Sequence, residues 1–145
     1  MSDFRSAWPV TPLASQVVVR VERAMPKLPP EIENRVASHW NAALATHPML
    51  YNGRVFCADV IEAGIISGHW SEYRRVLAQM REPDLYGADF LRPLAVVGLF
   101  RTTDGIVIGQ RSEHSLYLPG YWQGAPAGNV ESRDGEAQID LAAQL

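Results

Sequence analysis

The chain has 145 residues, of which 47% are hydrophobic and 20% are charged, and its formal net charge is −3. One domain of this size buries a substantial core, and the slightly acidic balance gives no basic field for nucleic acid or for an anionic membrane. No apolar run approaches the roughly 20 residues of a membrane span, and no signal-peptide pattern is present. The single cysteine, Cys57, cannot form an internal disulfide. This is typical of a reducing compartment, so the sequence predicts a cytoplasmic protein.

The N-terminal half begins with an irregular arm and then alternates between strand and helix. Residues 1–14 carry two prolines and no periodicity, which predicts the arm. The β-branched segment 16–22 predicts a strand. Apolar residues at helical spacing predict a helix over about residues 30–45, which should begin after a run of prolines. His47-Pro48 should end that helix.

Two further strands and a second helix are predicted next. Residues 54–61 alternate as a strand does, and residues 64–69 are the expected hairpin partner. Ser71 is the expected N-cap of a helix that continues to Met80. Residues 84–90 predict a short helix or a turn.

The C-terminal third contains the strongest local signals. The apolar runs 94–100 and 106–108 flank the turn Thr103-Asp104-Gly105, which predicts a hairpin because glycine accepts the positive φ that such turns need. The sequences LPGYW (118–122) and PAGNVE (126–131) follow.

This order of strand, hairpin, strand ending in Gln-Arg, LPGYW and PAGxVE resembles the front half of a Nudix hydrolase domain. A second resemblance lies earlier in the chain, in the order HPMLYNGRVF, a hairpin, a helix and LRPLAVVGLF. This order is similar to the extension that precedes the Nudix core in UDP-sugar-type members. Those members are related to the mammalian one that cleaves UDP-glucose and UDP-galactose. The resemblance covers about residues 29–131. It implies an α+β fold, a Nudix-like α/β/α sandwich with a mixed sheet. Residues 1–92 would be the N-terminal extension, and residues 93–145 the front part of the Nudix-like domain.

The family signature is G-x5-E-x7-R-E-U-x-E-E-x-G-U, where U is a bulky aliphatic residue. It places glutamates one turn apart on a helix, where they converge on Mg²⁺ or Mn²⁺, and the ions neutralise a diphosphate and help to activate water. Counted from Gly128, the first acidic position holds Asp134, and Glu136 fits if the loop has two extra residues. Seven residues further, Gln144 and Leu145 stand where Arg and Glu are expected, and no R-E-x-x-E-E occurs.

Two explanations for the missing glutamates stay open. The chain is either an N-terminal fragment of a longer enzyme whose glutamates lie past residue 145, or a natural short protein that keeps the front of the fold without catalysis. An ending inside an amphipathic helix with no C-cap favours the fragment. The unpaired sheet edges expected of a short chain favour a homodimer or strand exchange.

The resemblance implies a substrate site at Arg111, Pro126 and Gly128, and weaker metal candidates at Glu131 and Glu136. Arg111 would contact a phosphate or uracil, and a solvated strand end is an equal alternative. Pro126 and Gly128 would form a loop close to the diphosphate, whereas the alternative is an ordinary turn. Glu131 would join the outer shell of the metal, although such a residue is more often simply exposed.

The sequence contains no motif for another type of catalytic or metal site. The four histidines lack metal-ligand spacing, and Cys57 is expected to be a buried structural thiol. Tyr121 and Trp122 are candidates for stacking on a base, although packing is their commoner role. The sequence thus predicts a Mg²⁺-dependent Nudix hydrolase of a small-molecule nucleoside diphosphate derivative, such as a UDP-sugar or ADP-ribose. The alternative is a catalytically inactive nucleotide-binding or protein-interaction module.

Overall fold

A computed structural model describes residues 12–132 and 134–145, and its architecture is mixed α+β. The predicted arm at residues 1–14 lies almost wholly outside the described residues. The elements in chain order are β1 (Val18–Val21), α1 (Pro30–Thr46), β2 (Arg54–Glu62), β3 (Ile65–Glu72), α2 (Tyr73–Arg81), β4 (Ala95–Val97), β5 (Arg101–Thr102), β6 (Gly105–Ile106), β7 (Ile108–Gln110), β8 (Trp122–Gly124), β9 (Ala127–Asn129), β10 (Glu131–Ser132) and β11 (Gln138–Ile139). Short 3₁₀ turns lie at Gly87–Asp89 and Ala142–Gln144.

The main sheet has five strands in the order β10-β2-β3-β1-β11. The predicted strand at 16–22 and the predicted hairpin of β2 with β3 are both confirmed. β1 pairs parallel with β3, whereas the other three pairings are antiparallel. One face of the sheet carries the larger core cluster, formed by Val19, Phe56, Ala58, Ile66, Val130 and Ile139. Residues from both the 1–92 and the 93–145 segments therefore contribute to this sheet and to its core cluster.

The two helices pack against each other, and Val36 of α1, Ala78 of α2 and Leu85, which follows α2, form a second core cluster. α1 confirms the predicted helix: Pro30 needs no hydrogen-bond partner at its start, and the N–H of His47 closes the last turn on Ala43 O at 2.9 Å. Among the described residues, no helix has the length and apolar character needed to cross a membrane.

The expected N-cap at Ser71 is wrong, although the second helix itself is confirmed. β3 continues through Glu72, which holds the N-cap position of α2. Ser71 pairs instead with Val55 across the hairpin and is buried. Strand pairing thus determines where this helix begins.

Residues 94–129, which we call the ribbon, fold as three short two-stranded pairs. β4 pairs with β9, β5 with β6, and β7 with β8, all antiparallel. The hairpin predicted at 103–105 is confirmed, because Thr102 pairs with Gly105, whose φ is +148°. No residue of the ribbon is buried. Ten of its large apolar side chains are exposed: Val97, Leu99, Phe100, Ile106, Val107, Ile108, Tyr117, Leu118, Tyr121 and Trp122.

Candidate functional site

The sequence-predicted residue Arg111 directly follows β7 and is half-buried. Its Nε donates to the carbonyl oxygen of Tyr117 at 2.8 Å, and its terminal nitrogen donates to Gln123 Oε1 at 3.3 Å. These bonds fix the guanidinium between β8 and the loop that precedes it. The N–H groups that remain suit an oxyanion, since a guanidinium offers five donors.

Pro126 and Gly128 lie next to each other on the exposed side of the ribbon. Pro126 follows a cis peptide bond, and its carbonyl oxygen accepts the N–H of Gly98 at 2.7 Å. Gly128 pairs with Val96 in the middle of β9. A Cβ built at Gly128 would have no heavy atom within 4 Å, so the backbone there is open to close approach by a ligand.

Glu131 lies in β10 and Glu136 lies between β10 and β11, and both are exposed. The N–H of Glu131 donates to Gln144 Oε1 at 3.0 Å. The Glu136 carboxylate accepts the hydroxyl of Ser132, which lowers the pKa of that carboxyl. Among the described residues, no group of three or more His, Cys, Asp or Glu side chains could hold a metal ion. The metal role of these two glutamates therefore stays a prediction.

Two of the predicted residues act electrostatically on one phenol, that of Tyr73 at the start of α2. Burial is the main reason that the pKa of Tyr73 is raised; the negative charge of Glu131 raises it further, and the positive charge of Arg111 lowers it. Trp40 packs edge-to-face on Tyr73, with ring centroids 6.3 Å apart. The charges of Arg111 and Glu131, which come from separate elements, thus act on the same phenol in opposite directions.

A cavity of about 660 Å³ lies elsewhere, where the segment after β1 meets β2, β3, α2 and residues 85–92. None of the five sequence-predicted residues lines it. Its wall includes four basic and two acidic side chains: Arg23, Lys27, Arg75, Arg92, Asp59 and Asp89. We call it the basic cavity.

One wall of the basic cavity is a network of Arg23, Asp59 and His69. Arg23 donates to both carboxylate oxygens of Asp59, at 2.7 and 2.6 Å, and His69 Nδ1 lies 3.0 Å from Asp59 Oδ2. The hydrogen bonds from Arg23, and then those from His69, lower the pKa of Asp59 to about 2. An ionised carboxylate only accepts, so His69 Nδ1 carries the hydrogen and Nε2 is the acceptor in the neutral ring.

His69 is 2% exposed, and its Nε2 has no hydrogen-bond partner within the described part of the chain. Such an orphaned buried acceptor is rare in folded proteins. The strands explain its position. His69 pairs with Cys57 in the hairpin, and an irregularity between Ala58 and Val60 leaves Asp59 as an extra residue in β2. A bulge of this kind re-aims the side chain that it carries.

Cys57 is buried, as the sequence predicts. Burial, assisted by the negative charge of Asp59, raises the pKa of its thiol to about 12. The thiolate is the nucleophilic form, so Cys57 beside His69 is protonated at neutral pH and is no nucleophile.

The basic cavity cannot be recognised in the sequence, because its polar residues come from separate elements and share no motif. The available signal was weak: the polar residues Ser67, His69 and Ser71 recur at every second position of β3 and are buried, but only His69 of the three lines the cavity. That spacing places the three side chains on one face of β3, but no local pattern indicates which elements pack against that face.

No protein-family model matches this chain, and no curated protein shows significant similarity to it. The Nudix resemblance therefore depends on the residues and their order alone.

Proposed function

We propose that this chain has a Nudix-like fold and binds a nucleoside diphosphate linked to another moiety, such as a UDP-sugar or ADP-ribose. This is the substrate class of a Mg²⁺-dependent Nudix-type hydrolase. The observation that carries the proposal is the open backbone at Gly128, in the PAG segment that the family uses against the diphosphate. No heavy atom lies where a side chain would be, so a phosphate can reach the backbone.

Arg111 supports the same proposal through its charge. Two hydrogen bonds hold the guanidinium, at 2.8 and 3.3 Å, so little side-chain freedom is lost when it contacts a phosphate. Charge-assisted hydrogen bonds of this type are roughly twice as strong as neutral ones. Arg111 would therefore bind and orient the diphosphate or the uracil.

Hydrolysis is proposed only for a chain that carries the full glutamate set. Mg²⁺ or Mn²⁺ would neutralise the diphosphate and help to activate water. Such a metal ion needs several oxygen ligands, and Glu131 and Glu136 alone do not supply them. The second candidate is therefore a nucleotide-binding module without turnover. It is considered for these 145 residues because the R-E-x-x-E-E motif does not occur in them.

The proposed contact at Gly128 is tested by calorimetric titration of the chain with UDP-glucose and ADP-ribose. We expect one of the two to bind, and Gly128→Ala to weaken that binding about tenfold, the equivalent of one lost close contact. Gly64→Ala is the matched control, since its Cβ also meets nothing within 4 Å. Equal binding by both variants would refute the role of Gly128, and no binding of either nucleotide would refute the proposal.

Turnover separates the two candidates. We expect the 145-residue chain with Mg²⁺ to leave UDP-glucose and ADP-ribose uncleaved above background. Clear turnover that a chelator abolishes would show that the R-E-x-x-E-E helix is dispensable here.

A further inference from the structure

We propose that the basic cavity is a binding site for a small organic anion, a carboxylate or phosphate ester joined to an apolar body. This site is separate from the one proposed around Arg111 and Gly128, since neither residue lines the cavity. The inference therefore does not depend on the Nudix resemblance.

Charge is the first observation that supports an anionic ligand. The four basic side chains outnumber the two acidic ones, although the whole chain carries −3. Arg23 is neutralised by Asp59, and Arg75 lies 3.6 Å from Glu33 and 3.5 Å from Glu72.

The two remaining cations lack such compensation. Within residues 12–132 and 134–145, no carboxylate lies within 4.0 Å of the charged groups of Lys27 or Arg92. Arg92 donates to the backbone oxygens of Ala58 and Asp59 instead, and these bonds fix its guanidinium without cancelling its charge. Asp89 is the one acidic side chain of the wall not yet counted, so Lys27 and Arg92 still leave the cavity with a net positive charge that attracts anions.

The apolar part of the wall is the second observation. Leu28, Ile32, Leu85, Tyr86, Phe90 and Leu91 all line the cavity. A volume of about 660 Å³ is within the common range of small-molecule pockets, about 300–1,000 Å³, which combine an apolar lining with a few polar groups. A bare phosphate or halide would leave this surface wet, so an anion with an apolar body fits better.

His69 is the third observation, because it is an orphaned polar group in the same wall. Its Nδ1 faces Asp59, while Nε2 has no partner among the described residues. A buried acceptor without a partner costs about 1–3 kcal/mol. An unpaired buried group of this kind is what a site that lacks its ligand or an ordered water would show.

The test is an amide NMR titration of the whole chain with phenyl phosphate, benzoate and the neutral analogue benzyl alcohol. We expect at least one anion to shift the amides of Ala58, His69 and Phe90 saturably. Benzyl alcohol should bind at least about tenfold more weakly, because it lacks the charge. The two anions distinguish a phosphate ester from a carboxylate as the preferred group.

Lys27→Gln is the decisive variant, since the Lys27 side chain is exposed and makes no hydrogen bond or ion pair with the described residues. It should weaken the anion about tenfold, while Arg101→Gln, an equal charge change on the exposed hairpin, should not. No saturable shift at the cavity, or equal weakening by both variants, would overturn the proposal. Shifts confined to Arg111 and Gly128 would also overturn it, and would support the nucleotide site instead.

Discussion

The ribbon differs from the rest of the described chain in how far its apolar side chains are buried. We call that rest, residues 12–93, 130–132 and 134–145, the layered region. Every buried residue of the described chain lies in the layered region. There β2 and β3 are nine and eight residues long and pair along almost their whole length. In the ribbon no strand exceeds three residues, and Tyr121 and Trp122 are about 60% exposed.

This difference separates the source of stability from the proposed nucleotide site. Buried apolar area supplies most of the free energy of folding, so the layered region should hold the fold together. Short, exposed strand pairs open at low cost, and the ribbon contains Arg111, Pro126 and Gly128. The basic cavity, in contrast, lies in the layered region and includes residues of the long strands β2 and β3.

The largest expected contrast is between two glycines. A Cβ at Gly68 would overlap the carbonyl oxygen of Cys57 and lie 2.8 Å from Phe56 Cζ. Gly68→Ala should therefore force β2 and β3 apart and destabilise the protein by more than about 4 kcal/mol. Gly128→Ala should change stability by less than about 0.5 kcal/mol. Urea unfolding measures both, and a stable Gly68→Ala protein would contradict the pairing of β2 with β3.

Thiol reactivity gives the next contrast. With a pKa of about 12, Cys57 at pH 8 has roughly a thousandfold less thiolate than an ordinary cysteine, so its alkylation should be slower by at least that factor. The urea-unfolded chain is the reference state. In a Cys57→Ala protein, Thr103→Cys on the exposed turn of the ribbon should react about as fast as a free thiol. Similar rates for the two cysteines would show that Cys57 is accessible.

Two aromatic residues test where packing matters. Phe56 is fully buried and packs edge-to-face on Trp70 with centroids 5.7 Å apart, so Phe56→Leu should cost about 2 kcal/mol. Trp122 is 62% exposed, and Trp122→Leu should cost less than about 0.5 kcal/mol. Chemical denaturation of both variants measures the two costs. An equal loss would mean that the ribbon contributes to the core.

The smallest expected effect depends on pH. Asp59 has a folded pKa of about 2, below the unfolded value of about 3.9, so its contribution is fully present above the unfolded pKa and is lost as pH falls through about 2. The carboxylate is partly exposed, which limits its contribution to about 1 kcal/mol. Asp59→Asn should therefore be less stable than the native chain at pH 7, and the gap should close toward pH 2. Glu62→Gln, on an exposed position of β2, should show no such gap.

The fold could be predicted where its causes are local. The α1 helix, the β2–β3 hairpin and the turn at 103–105 follow from periodicity, proline and Asp-Gly. The parallel pairing of β1 with β3, and the pairing of β4 with β9, join residues far apart in sequence, and no local pattern specifies such partners. The expected N-cap at Ser71 was wrong for the same reason, since cross-strand pairing outweighs a capping preference.

The candidate sites show the same limit. Arg111 and Gly128 could be selected because a resemblance supplied an order of motifs. Asp59 and His69 can be recognised as part of a site only from the hydrogen bond that joins them across two strands. Arg23 reaches Asp59 because β1, which it follows, pairs with β3. A site that is assembled by tertiary contacts has no local motif by which it could be recognised in a single sequence.

The position of β1 between β3 and β11 has a consequence for the timing of folding during synthesis. Val19 pairs with Ile139, and Val55 on the opposite side of the sheet pairs with Glu131. Until the ribosome has made residues 131–139, only the partial sheet β2-β3-β1 can form, and its two edge strands, β2 and β1, carry unpaired backbone groups. At about 5–20 residues per second, those edges stay open for several seconds after β3 emerges. The nascent chain is thus most prone to aggregate through strand edges during synthesis of the ribbon.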